Sequence, residues 1–152
     1  MTNRKTAILI SIFVVLPMII GGMIYLLSRP TSIVMFSWLD NIGLETFTMN
    51  IRSMINAKDF MNNWIIYNFP ALLWSFSFTC FLGIIWNYNI NLENIFILII
   101  PMCLGIVTEV FQKTGVINGT FDKIDSMLYI IGGLLGFLII KIINHKTKIS
   151  VA

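Results

Sequence analysis

Two pairs of polar residues stand out in a chain otherwise poor in chemistry. Glu109 and Gln112 lie three residues apart, and so do Asp122 and Asp125. Residues three apart on an α-helix share a face, so each pair aims two oxygen-bearing side chains in one direction. Grouped carboxylates act as acid and base when their surroundings split their pKa values, and they hold hard cations. Oxygen-only donors suit Mg²⁺ or Ca²⁺ better than Zn²⁺, but no metal or cofactor is expected. His145 is the only histidine and lies in a basic tail, which argues against histidine metal sites, haem ligation and Ser-His-Asp catalysis. Cys80 and Cys103 both fall inside apolar runs and read as buried, reduced thiols. No nucleophile stands paired with a base, so the expectation leans away from an enzyme, and catalytic residues stay unassigned.

The elements that position these residues follow from composition. The chain has 152 residues, 57% of them hydrophobic and only 11% charged, against roughly 25% charged in soluble domains. Its mean hydropathy is +0.87. A soluble chain of this size has no interior large enough for so much apolar surface, so the bilayer must act as solvent. The length suits one domain over 1–152. The net charge of +3 is scattered and does not indicate a nucleic-acid partner; membrane lipids are the expected surroundings.

Four apolar runs predict an all-α bundle of four transmembrane helices, at about 7–27, 64–86, 95–112 and 122–143. No charge falls between Lys5 and Arg29 or between Asp59 and Glu93. The first run is long, lacks a small-residue cleavage pattern, and reads as a retained helix rather than a signal peptide. Pro17 and Gly21-Gly22 predict a kink or a close helix contact in it. Pro70 falls in the first turns of the second helix, where a missing N–H costs least. The third and fourth runs each hold fifteen uncharged residues, 94–108 and 126–140. Fifteen residues reach about 22 Å, short of the roughly 30 Å hydrocarbon core. Each helix must therefore carry its acidic end into the membrane boundary, which places Glu109, Gln112, Asp122 and Asp125 together at one mouth of the bundle.

Residues 28–63 alternate polar side chains with Phe36, Trp38, Leu39, Ile42, Leu44, Phe47, Ile51, Met54 and Ile55, a mixture that suits an amphipathic interfacial segment between helices 1 and 2. Arg4 and Lys5 at one end and Lys141, Lys146 and Lys148 at the other place both termini in the cytoplasm. The acidic mouth then faces outside, with Arg29, Arg52, Lys58, Lys113 and Lys123 on the same side, which weakens the bias. Each acid also has an ordinary reading. Asp122 looks like a helix N-cap with Asp125 three positions on, as in a capping box, and Gln112 suits an interhelical hydrogen bond. Glu109 is harder to absorb, because an ionised side chain inside a membrane helix is costly and needs a partner. Arg52 is the first candidate, with Arg29, Lys123 or a divalent cation as alternatives. Gly132 and Gly136 form a small-xxx-small spacing for helix packing.

The stretch from Gly105 to Gly136, GIVTEVFQKTGVINGTFDKIDSMLYIIGGLLG, resembles the VanZ-like membrane family. That family's pattern is E-x-x-Q at a helix end, a short loop, F/R-D-x-x-D and a glycine-bearing helix. Here the matching positions are Glu109, Gln112, Phe121, Asp122, Asp125, Gly132 and Gly136; Tyr129 departs from the asparagine the family often has. The resemblance covers about 30 residues. It implies a protein of the bacterial cytoplasmic (inner) membrane with an envelope role, linked by the family's name to glycopeptide resistance, notably to teicoplanin. The expected ligand is a lipid headgroup, a lipid-linked envelope precursor or a glycopeptide antibiotic, with Glu109, Gln112, Asp122, Asp125 and Arg52 as binding candidates. The alternatives are a small structural subunit of a larger membrane complex and, less favoured, an enzyme acting on a lipid-linked substrate.

Overall fold

The computed structural model describes residues 3–31, 34–55, 62–88 and 91–149. Its elements are α1 (Asn3–Ile10), a π-helical turn (Ser11–Val15), α2 (Leu16–Ser28), α3 (Val34–Asn41), α4 (Glu45–Met54), α5 (Asn63–Tyr67), α6 (Phe69–Ile85), α7 (Leu92–Lys113) and α8 (Lys123–Ile149), with no strand among the described residues. Three stretches are long and apolar enough to cross a membrane: Arg4–Ser28, Ile95–Lys113 and Lys123–His145. The fourth expected crossing is a shorter apolar helix, α6, of 17 residues. Outward side chains such as Met18, Ile19, Leu134 and Leu138 are apolar and exposed, as bilayer as solvent requires.

The N-terminal helix follows the proline expectation in an altered form. Pro17 has no N–H to offer the Phe13 carbonyl four residues back, and the ladder widens into the π turn just before it. The Val14 carbonyl in that turn takes the Ser77 hydroxyl at 2.7 Å. Gly21 meets its neighbour as expected: a methyl there would sit 2.9 Å from Trp74 Nε1, whereas Gly22 faces open space.

The second expected helix is interrupted. A turn at Asn68 (φ −111°, ψ −36°) separates α5 from α6, with Pro70 in the first turn of α6. Pro70 cannot donate to the Ile66 carbonyl, and the Ala71 N–H turns instead to Asn68 O, three residues back, at 3.1 Å. At its other end α6 stops on Asn87 (φ 51°) and Tyr88 (φ 60°), and the Tyr88 N–H closes on Gly83 O at 2.8 Å.

α6 is the central helix, packed against the N-terminal helix, α7 and α8. Small residues make the approach possible, as close helix contact in a membrane demands. A methyl on Gly132 would strike the Leu72 carbonyl, and one on Gly136 would lie 2.9 Å from Phe76 O. Ser75 donates to Tyr129 O at 2.6 Å, tying α6 to α8. At the end away from the acids, Val14, Cys80, Ile84, Tyr88 and Ile140 form the buried apolar cluster. The segment between the first two long helices forms α3 and α4, and α4 packs on α2; Phe36 and Thr48 are buried there while Trp38, Phe47 and Met54 are exposed. Lys58 lies outside the described residues.

Candidate functional site

Four chain segments deliver polar groups to one end of the bundle. They are the end of α2 with Arg29, the break at Asn68, the last turns of α7 with Glu109, and the start of α8 with Asp122 and Asp125. Glu109 is 3% exposed. Its Oε2 accepts the backbone N–H of Asp122 at 2.9 Å. That N–H is one of the donors a helix start leaves without an internal partner. Glu109 therefore sits near the C-terminus of its own helix but turns a carboxyl oxygen to the N-terminal end of the next one.

Asp122 is the N-cap of α8: its Oδ1 accepts from the Ile124 N–H at 2.8 Å. Asp125 occupies the capping-box position but does not reach back to Asp122 N–H, because Glu109 already holds it. The freed Asp125 carboxylate turns toward Asn68. Asn68 Nδ2 donates to Asp122 Oδ2 at 3.1 Å and to Asp125 Oδ1 at 3.0 Å. Asn68 is 5% exposed, so one buried amide clamps two half-buried aspartates. Sequence reasoning missed it. The only trace was an amide within an apolar run, two residues before Pro70.

Arg52, the expected cation for the acids, is engaged elsewhere. Arg52 Nη1 donates to the Leu26 carbonyl, and its guanidinium lies 5.1 Å from the Phe36 ring centroid. It braces α4 against α2 and does not pair with Glu109 or Asp125. Arg29, on the same side, is held by tyrosines and makes no ion pair with the acids among the described residues. It lies between the rings of Tyr25 and Tyr67, 4.8 and 4.7 Å from their centroids, and donates to Tyr67 O at 3.0 Å. Lys113 covers Phe121 at 5.2 Å. Gln112 is not hydrogen-bonded to the carboxylates among the described residues. Its amide packs under Gly119, whose backbone (φ 150°) leaves no room for a side chain: a methyl there would lie 2.7 Å from Gln112 Cδ.

Three carboxylates thus gather at this junction, and two of them share the Asn68 amide. Among the described residues no three His, Cys, Asp or Glu side chains are arranged to hold a metal ion. Carboxylate oxygens at the rim accept hydrogen bonds, while Arg29, Lys113 and Lys123 balance their formal charge. One turn below it, Tyr129 packs its ring on Gly105, beside the Thr108 hydroxyl. The chain matches no protein-family model, no curated protein and no solved structure.

Proposed function

We propose that this is a VanZ-like protein of the bacterial cytoplasmic membrane that crosses the bilayer four times and receives the polar head of an envelope lipid, a lipid-linked precursor or a glycopeptide at its acidic, extracytoplasmic mouth. The observation that carries the reading is the rim itself, with Glu109, Asp122 and Asp125 gathered at one helix junction. Of the VanZ-like pattern, Glu109, Asp122 and Asp125 carry the hydrogen bonds of this junction. A fourth crossing is supported by the position of α6. It lies among three long apolar helices and runs 17 residues by itself, about 26 Å at helical rise. Four crossings put the basic termini on one side, in keeping with the positive-inside rule.

The test is antibiotic susceptibility of cells carrying Glu109→Gln or Asp125→Asn. The proposal expects both proteins to reach the membrane and the glycopeptide phenotype to be lost. Wild-type behaviour of both variants would overturn it.

A second reading, a structural subunit of a larger membrane complex, is favoured by the internal satisfaction of the rim. Asp122 caps α8, Glu109 takes the Asp122 N–H, and Asn68 takes both aspartates. Co-purification of one stoichiometric membrane partner from the native envelope would favour this reading, and a homogeneous monomer or homo-oligomer would count against it.

A further inference from the structure

A cavity of 590 Å³ on the side of the bundle reaches from Thr108, next to Glu109, to Val14 of the buried apolar cluster. It arises from the helix arrangement. The N-terminal helix packs on α6, and α7 packs on α6 and α8, but no extensive contact joins the N-terminal helix to α7. The gap between them is a cleft floored by α6. Val14 and Met18 form one wall, Pro101 and Leu104 the other, and Trp74 and Phe81 line the floor. These residues belong to stretches with the length and composition of membrane spans or to the apolar helix between them.

The lining selects its occupant. Besides Tyr129 and the Trp74 indole, its hydroxyls donate inside the protein: Ser75 to Tyr129 O, Ser77 to Val14 O, and Thr108 to Gly105 O, at 2.6, 2.7 and 2.7 Å. A buried water needs two to four polar partners, and these groups do not offer them. The volume falls in the range of about 300–1,000 Å³ that suits a small ligand.

We propose that the cleft binds one hydrocarbon chain of a membrane amphiphile, entered sideways from the bilayer. The proposal rests on the membrane-spanning reading above and deepens it. Thr108 precedes Glu109 by one residue, and Tyr129 lies one turn past Asp125 on the same face. A chain in the cleft therefore brings its head to the acidic rim.

The test uses the full chain with Trp38, Trp64 and Trp86 changed to Phe, so that Trp74 is the only indole. It is reconstituted in phosphatidylglycerol vesicles with a rising fraction of lipid brominated at mid-chain. A bound chain gives quenching that saturates at a low brominated fraction. Leu104→Phe narrows the cleft and raises the half-saturating fraction severalfold. Leu138→Phe, on an exposed position of α8 outside the cleft lining, leaves it unchanged. Quenching that rises linearly in all three proteins would overturn the cleft site while leaving the membrane reading intact. Trp74 shielded from bromine at every fraction, in a protein running as a dimer, would overturn it in favour of a second copy. Failure of the protein to float with the vesicles would overturn the membrane reading and the cleft together.

Discussion

Glu109, inside α7, accepts the first backbone N–H of the next helix from Asp122 at 2.9 Å. One contact thus closes the α7–α8 hairpin and displaces Asp125 from the capping role its spacing announces. The displaced carboxylate is what Asn68 then holds.

This predicts a difference between two substitutions of Glu109. Glu109→Gln keeps a carbonyl oxygen for the Asp122 N–H and should leave the thermal unfolding of the detergent-solubilised protein close to wild type. Glu109→Ala leaves that donor buried without a partner and should cost about 1–3 kcal/mol. Equal losses in the two variants would mean that charge, not the hydrogen bond, is what the fold uses.

Asn68 should tolerate change poorly in a specific order. Asn68→Ala removes both bonds to the aspartates. Asn68→Asp removes them and adds a carboxylate against two others, so it should be the less stable variant by roughly 1 kcal/mol or more. The comparison needs only parallel unfolding curves.

Asp122→Ala should destabilise the protein by about 0.5–2 kcal/mol through loss of the N-cap, and Asp122→Ser should recover most of the loss. A Ser variant no better than Ala would assign the effect to the Asn68 contact instead.

The packing glycines give a prediction with its own control. Gly132→Ala drives a methyl into the Leu72 carbonyl, a backbone atom that cannot step aside, while Gly22→Ala meets open space. The first should lower folded yield and the unfolding temperature, by roughly 1–3 kcal/mol. The second should be neutral or slightly stabilising, since alanine favours helix by about 1 kcal/mol over glycine.

Much of this arrangement was legible in the chain. The short runs between charges required Glu109 and Asp125 to sit at a helix end, and the spacing of Asp122 identified the cap. Gly132 and Gly136 announced the face that meets α6. What the sequence hid were contacts between distant segments. Asn68 reaches Asp122 and Asp125 across 54 and 57 residues, and nothing local marks it apart from the nearby Pro70. Arg52 illustrates the opposite error. Its charge suggested an ion pair, but α4 packs on α2, and the nearest unsatisfied acceptor is the Leu26 carbonyl near the end of that helix. The cleft was equally invisible, because it is defined by two helices that fail to meet.

The central claim is that the acidic rim faces the outside of the cell on a four-span bundle. Single cysteines at Val116, Thr120 and His145, introduced after Cys80 and Cys103 are changed to Ser, measure it directly through labelling of intact cells with a membrane-impermeant maleimide. Thr120 and Val116 are exposed in the loop between α7 and α8, and His145 is exposed near the end of α8. The account predicts that Val116→Cys and Thr120→Cys label in intact cells and that His145→Cys labels only after permeabilisation. Labelling of His145→Cys in intact cells, with Val116→Cys and Thr120→Cys protected, would contradict it.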